Sequence, residues 1–205
     1  MPWLGHTCGH CTYCKTDREN LCDAPGFTGC TRDGGFASHL VAEAAFIIPL
    51  DPSLDPVATA PLLCAGLIGW RTLQMAGDAL SIGLYGCGAA AHIVAQVGGW
   101  GGRRVFAPDG SLVPAALRAV RNDGWVVCGG IHMSDIPAFP YDLLWGERSV
   151  RSVANLTRED ARTFFETAPQ AGIVTRTRTY RLAQANEAIG AHRSGILHGA
   201  AVLVP

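Results

Sequence analysis

A chain of 205 residues with 48% hydrophobic and only 16% charged residues is long enough to bury a full core, as one large or two small domains. Its formal net charge of −1, with no block of Lys or Arg, excludes the electrostatic footprint of a nucleic-acid or anionic-membrane binder, so small or neutral partners are expected. The amino end has neither a basic start nor an apolar signal core, and the longest weakly polar run, Val57 to Trp70, falls short of the ~20 residues of a membrane span. The expected location is therefore cytoplasmic, a reducing setting in which eight cysteines are more naturally ligands, catalytic groups or core residues than disulfides.

The first motif is Cys8-Gly-His-Cys11-Thr-Tyr-Cys14, followed by Cys22, with the spacing C-x2-C-x2-C-x7-C. One irregular loop of this length can fold four thiolates around a tetrahedral ion at bond lengths of ~2.3 Å. An iron–sulfur cluster also takes four thiolates, but the bacterial ferredoxin run needs its fourth cysteine after three residues with proline next; here Asp23-Ala-Pro25 follows a longer gap. The spacing favours zinc. With all four positions filled by protein, such a metal stabilises a lobe and leaves no place for water or substrate.

Beyond it, Thr31-Arg-Asp-Gly-Gly35 suits a turn, and Ser38-His-Leu-Val-Ala42 and Ala45-Phe-Ile-Ile-Pro49 are short β-prone runs, so a loop-rich β lobe is expected. Asp55-Pro56 reads as an N-cap with proline at the first helical position, opening a helical segment from Val57 through Met75, interrupted at Pro61 and ended by Gly77. Cys64 lies inside it, and by burial habit a lone cysteine there is a small core residue. Leu80 to Tyr85 is strand-like, Gly86-Cys-Gly88-Ala-Ala-Ala91 a glycine turn, and His92 to Val97 helix-like. That order is the context of the dinucleotide fingerprint G-x-G-x-x-G/A. Gly86 makes the turn, Gly88 lets a pyrophosphate approach the backbone, and Ala91 allows close helix packing. Cys87 and His92 read as packing residues.

Thr157-Arg-Glu-Asp160 has the form of a capping box opening a helix to about Ala168, before Pro169. Leu182, Ala185 and Ile189 share one face of another helix, and Gly199 to Val204 is a final strand.

The order of these features resembles the zinc-dependent medium-chain alcohol dehydrogenases. The matching residues are Gly5-His6-Thr-Cys8-Gly-His-Cys11 with Cys14 and Cys22, Asp33-Gly-Gly-Phe-Ala37, Ala60-Pro-Leu-Leu-Cys64-Ala-Gly, Gly86-x-Gly88, Gly129-Gly-Ile, Ser152-Val-Ala and Gly199-Ala-Ala-Val-Leu203. The resemblance implies an α/β fold: a partial GroES-like, β-rich catalytic domain with a structural zinc lobe (residues 1–78), a shortened Rossmann-type parallel sheet (79–155), and a carboxyl-terminal segment (156–205) returning to the catalytic domain. It implies that Cys8, Cys11, Cys14 and Cys22 hold the structural zinc, that Cys64 stands at the position of a catalytic zinc ligand, and that NAD(P) binds at Gly86, Gly88 and Ala91. Asp109 lies close to the spacing of the acidic residue that accepts the ribose hydroxyls. The implied substrate is a small alcohol or aldehyde, and association into a homo-oligomer fits the family.

Two departures qualify this. Family members carry a stretch before the zinc loop that supplies the other catalytic zinc ligands, and residues 1 to 7 match none of it. A catalytic zinc takes three protein ligands and an open position, which Cys64 alone does not provide; His39, His132 and His198 would serve only in a rearranged fold. In the nucleotide domain the resemblance gives four strand candidates, Leu80 to Tyr85, Arg103 to Ala107, Trp125 to Cys128 and Ser149 to Ala154, where the family has six. Gly110 to Val120 resembles the helix that follows the family's fourth strand, as if the middle were deleted near residues 107–111, and Arg103 to Ala107 could occupy either the second- or the fourth-strand slot. Two function classes follow: an NAD(P)-linked oxidoreductase acting on alcohols, or a zinc-binding remnant serving as a structural or interaction fragment.

Overall fold

The computed structural model describes residues 2–86, 88–106, 112–130 and 134–205. The chain divides into two compact units, Met1–Leu67 with Asn155–Pro205, and Ile68–Ala154, so the first unit is discontinuous in sequence.

In the first unit, strand β1 (Leu4–His6) pairs antiparallel with the two-residue β2 (Gly26–Phe27), and the cysteine loop hangs between them. Two 3₁₀ turns, Cys14–Thr16 and Glu19–Leu21, are the loop's regular structure. The β-prone runs after it do not form strands: residues 38–42 are irregular, and Ala44–Phe46 is a 3₁₀ turn that buries Phe46. The β-prone composition is there, but the described residues offer those runs no ladder partner, and β propensity without one is weak. Helix α1 (Pro56–Thr59) starts as expected, with the Asp55 carboxylate accepting from the Val57 amide at 3.0 Å. It tightens into a 3₁₀ turn at Ala60–Leu63, where Pro61 enters. Helix α2 (Ala65–Met75) follows and runs across the division between the units, closed by Gly77 at φ 63°.

The carboxyl-terminal part of this unit contains helices α5 (Arg158–Ala171) and α6 (Ala185–Arg193) and strands β7 (Thr177–Arg181) and β8 (Ala200–Val204), which pair in parallel. The capping box forms: Thr157 N–H donates to the Asp160 carboxylate at 2.7 Å and Asp160 N–H to Thr157 Oγ1 at 3.1 Å. Helix α5 continues through Pro169 rather than stopping before it. Proline in the last turn gives up one backbone hydrogen bond, and the helix ends three residues on at Gly172, in the left-handed region at φ 61°. The core of the unit consists of Leu4, Phe46, Leu62, Leu67, Leu156, Ala161, Phe164, Ala168, Tyr180 and Ala188. Gly66 is required against Phe164, whose ring carbons would lie 2.8 Å from an added Cβ.

In the second unit, β3 (Ser81–Gly83) leads through helix α3 (Ala89–Trp100) to β4 (Arg104–Phe106), which pairs with β3 in parallel. Helix α4 (Leu112–Ala119) then leads to β5 (Trp125–Cys128), which pairs in parallel with β6 (Ser149–Ser152). All four expected strands are present, as two separate two-stranded ladders. A second-strand or a fourth-strand position would each put β4 beside the first strand, but the fourth slot would also put it against β5. Among the described residues β4 pairs with β3, the neighbour that either slot would give it. The core is Leu73, Ile82, Ile93, Val94, Val97, Val113, Ala116 and Leu117. Among the described residues no helix is long and apolar enough to cross a membrane.

The turn into β8 is the most constrained point of the first unit. Gly199 has φ 106°, and an added Cβ would collide with the Arg176 carbonyl, which accepts the Ala200 amide at 2.8 Å. Gly199→Ala should cost about 2–3 kcal/mol, read as a lower urea midpoint with an unchanged slope. Gly190→Ala, in helix α6 where nothing lies within 4 Å of the added atom, should leave the midpoint level or raise it.

Candidate metal centre and nucleotide turn

The Cys8–Cys22 loop has little apolar content, so its shape rests on backbone hydrogen bonds and on the thiols. Gly9 at φ 74° and Asp17 at φ 56° turn the chain where the left-handed region is needed. The amide of Cys11 donates to Cys8 Sγ at 3.4 Å and that of Cys14 to Cys11 Sγ at 3.5 Å, the direct product of the x2 spacings. Cys22 Sγ accepts from the amides of Cys8, at 3.2 Å, and Ala24, at 3.4 Å. Backbone N–H groups aimed at sulfur favour its charged form. The four sulfurs lie within 4.8 Å of one another, with Cys8 Sγ and Cys14 Sγ at 4.0 Å. Tetrahedral bonds of ~2.3 Å imply sulfur separations of about 3.8 Å, so the donor set and its spacing fit a thiophilic dication. Among the described residues this is the one group of three or more potential metal ligands that comes together.

The electrostatics are those of four acids sharing one place. Hydrogen bonds from the backbone of Asp23 and Cys14 pull the Cys11 thiol down to about 6, whereas desolvation pushes Cys14 up to about 11. Thiolates this close oppose each other's ionisation, and a bound dication is the ordinary way to keep all four charged.

Between Cys14 and Cys22 the loop also carries Glu19, 5% exposed. Its carboxylate Oε1 accepts from the backbone N–H of Arg158 at 3.0 Å and from Arg158 Nε at 3.2 Å, and the same guanidinium lies over the Phe46 ring. Arg158 is the first residue of α5, so the carboxylate sits at the positive end of that helix. Burial alone would raise the Glu19 pKa, but the hydrogen bonds and charge of Arg158 reverse this and hold it below the ordinary carboxylate range. Sequence reasoning missed Glu19. Its partner lies 139 residues away, and the available signals were only a carboxylate inside the cysteine loop and an arginine directly after a predicted N-cap.

Cys64 follows the Pro61 turn, with its amide on the Pro61 carbonyl at 3.3 Å. The residue is exposed overall, though neighbouring protein shields the sulfur enough that desolvation raises its pKa. It belongs to no group of three ligands among the described residues. His39 is exposed, with Nδ1 3.1 Å from Ser38 Oγ, and His198 is exposed; His132 lies outside the described residues.

In the second unit, Gly86 takes φ 94°, a value suited to glycine, and Gly88 caps α3 with extended backbone. An added Cβ at either would meet none of the described residues within 4 Å, so among these the turn is open where a ligand could approach the backbone. The first-turn amides of α3 are donors without intrahelical acceptors. Ala91 is half-buried in that first turn, but the close helix packing is made by Gly69, whose added Cβ would lie 3.0 Å from the Ala90 carbonyl and Val94 Cγ2. His92, expected as a packing residue, is exposed, because the helix turns Ile93, Val94 and Val97 inward instead. Cys87 and Asp109 lie outside the described residues.

A four-thiol loop in one unit and a strand–glycine turn–helix in the other are the two marks of a metal-holding, dinucleotide-binding α/β chain, and the comparisons agree. Residues 1–52 match the alcohol dehydrogenase GroES-like domain. A probable alcohol dehydrogenase, AdhA, of Mycobacterium tuberculosis is 38% identical over 244 aligned residues, covering all of this chain and 70% of the relative. The chain belongs to the medium-chain alcohol dehydrogenase family. The fold is that of acetophenone reductase from Geotrichum candidum in complex with NAD (TM-score 0.86, 18% identity, 100% of this chain and 72% of the other). It is also that of the cobalt- and zinc-bound alcohol dehydrogenase from Pyrobaculum aerophilum (TM-score 0.82, 20% identity, 100% and 74%). The mycobacterial alignment spans 244 residues against the 205 of this chain, so at least the difference of 39 positions has no counterpart within it.

The Glu19 carboxyl gives a signed pH dependence. Because its folded-state pKa is lowered, its contribution is present above the ordinary carboxylate range and is lost as the pH falls through the lowered value. Urea titrations from neutral pH to about pH 3 should fall less steeply for Glu19→Gln, which has no proton to gain. Glu166→Gln, an exposed change, should keep the parent's slope; if Glu19→Gln keeps it too, Glu19 is not the source.

Proposed function

We propose that this chain carries the zinc-stabilised framework of an NAD(P)-linked alcohol dehydrogenase, serving hydride transfer between a small alcohol and its aldehyde or ketone. By itself it holds a structural metal rather than a catalytic one. The observation that carries this reading is the convergence of the Cys8, Cys11, Cys14 and Cys22 sulfurs within 4.8 Å. Zinc bound there supplies folding free energy and no reaction chemistry, since four protein sulfurs leave no open position. Family membership supports the reaction class and the division into a partial catalytic domain (1–78), a nucleotide-binding domain (79–155) and a returning segment (156–205). A cytoplasmic location and self-association belong to the same reading.

At the nucleotide turn, Gly86 and Gly88 would admit the pyrophosphate to the backbone, and the first-turn amides of α3 would bind its charge. When bound, the nicotinamide accepts or returns the hydride. A ribose role for Asp109, which follows β4 by sequence spacing, requires β4 to hold the second-strand position; its pairing with β3 is common to both slots. The described residues do not fit a catalytic zinc: Cys64 stands at the family's ligand position but belongs to no ligand group, so no reaction step is routed through it. That isolation favours a second reading, a zinc-binding structural or interaction fragment without turnover.

Elemental analysis of the purified chain should give one zinc per chain, lost in the Cys8, Cys11, Cys14, Cys22→Ser variant. Iron in its place, or zinc kept by the variant, would overturn the assignment. Alcohol-dependent NADH formation by the chain alone should be undetectable. Calorimetry should place NAD affinity in the millimolar range, since losing a few kcal/mol at ~1.4 kcal/mol per tenfold carries a micromolar site there; Gly88→Val should abolish it. Steady turnover that Cys64→Ala removes, with a second, exchangeable zinc, would establish the oxidoreductase reading for this chain alone.

A further inference from the structure

Glu19 lies three residues before Cys22, and the Cys22 amide donates to the Glu19 carbonyl at 3.1 Å within the same 3₁₀ turn. The sulfur of Cys22 in turn accepts from the Cys8 amide, so the segment bearing the carboxylate is tied to the cluster at backbone level. Upstream, Arg18 N–H is held by the Tyr13 carbonyl at 2.9 Å, next to Cys14. The loop's buried residues are Glu19, Asn20 and Cys22, and the Lys15 amide on the Cys11 carbonyl at 3.1 Å adds to its backbone bonds. The far end of the carboxylate's contact is the first amide of α5, the helix that supplies Ala161, Phe164 and Ala168 to the core.

Resting on the metal reading above, we infer that Glu19 transmits metal occupancy of the cysteine loop to helix α5. The thiolates fix the loop, the loop fixes the Glu19 carboxylate, and the carboxylate holds the α5 amino end. Coupling of this kind is reciprocal: if the metal favours the docked carboxylate, the docked carboxylate favours the metal. The Thr157–Asp160 capping box serves as an internal reference, because both its hydrogen bonds close within four residues of sequence and need nothing from the loop.

Hydrogen exchange of the Arg158 amide and zinc competition with a chromophoric chelator test this. Removing zinc from the parent protein should speed exchange at Arg158 by at least about fivefold, and Glu19→Ala should weaken zinc binding by about five- to tenfold. In zinc-loaded Glu19→Ala the amide should already exchange fast, with chelation adding less than about twofold. Glu19→Gln, which keeps an acceptor and loses the charge, should fall between the two and covers the case in which the alanine variant folds poorly. One zinc per chain with Arg158 exchange indifferent to chelation, or zinc affinity equal in parent and both variants, overturns the coupling and leaves the metal assignment standing. A chain that takes up no zinc overturns both.

Discussion

A buried carboxylate ties the cysteine loop to the carboxyl-terminal part of the first unit, beside the Thr175 Oγ1 bond to the Ala58 carbonyl at 2.8 Å and the packing of Gly66 on Phe164. Glu19 belongs to a loop that makes little apolar core of its own, and its oxygen accepts the first amide of a helix that begins 139 residues later. A carboxylate at a helix amino end gains from the dipole and satisfies an orphan donor, and its burial makes that bond costly to lose, at about 1–3 kcal/mol for a buried group left unpaired. The ion pair with the Arg158 side chain adds less, because that side chain is 56% exposed and solvent screens it. The exposed pairs of Arg162 with Glu159 and Glu166, further along the same helix, are weaker supports still.

Much of the local structure was legible because its causes are local. Asp55-Pro56, the Thr157–Asp160 box, the strand–glycine turn–helix at 81–100 and the cysteine spacing each carry their mechanism within a few residues. Features with distant causes were not. Strand β7, Thr-Arg-Thr-Tyr-Arg, is not among the expected strands and forms beside β8, with which it pairs in parallel. The runs at 38–42 and 45–49 have β composition and no such neighbour. Pro169 was read as a stop, yet in the last turn it costs one hydrogen bond, which the packing of Ala161, Phe164 and Ala168 outweighs. Glu19 could not be paired from sequence, since nothing near Cys14 or Cys22 points to Arg158.

The candidate site divides in the same manner. The four thiols converge as their spacing requires. Cys64, by contrast, owes its proposed role to resemblance, and its surroundings in the described residues add no ligand to it. The nucleotide turn has the open glycines and the helix end that its motif demands, but among the described residues the parallel strands behind it form two short ladders. Two-stranded ladders are marginal alone, so β3–β4 and β5–β6 depend on helices α3 and α4 for burial.

The discontinuity of the first unit sets an order of events on a ribosome. The four cysteines are all present once residue 22 has emerged, whereas the α5 amide that Glu19 requires follows 139 residues behind it. At roughly 5–20 residues per second that interval is roughly 7–28 s, during which the whole second unit is synthesised and can fold as its own contiguous segment. For that time the amino-terminal loop can be organised by the β1–β2 pair that flanks it, its own amide–sulfur bonds and any metal they attract, so its ligand set is complete long before its docking surface on α5 exists.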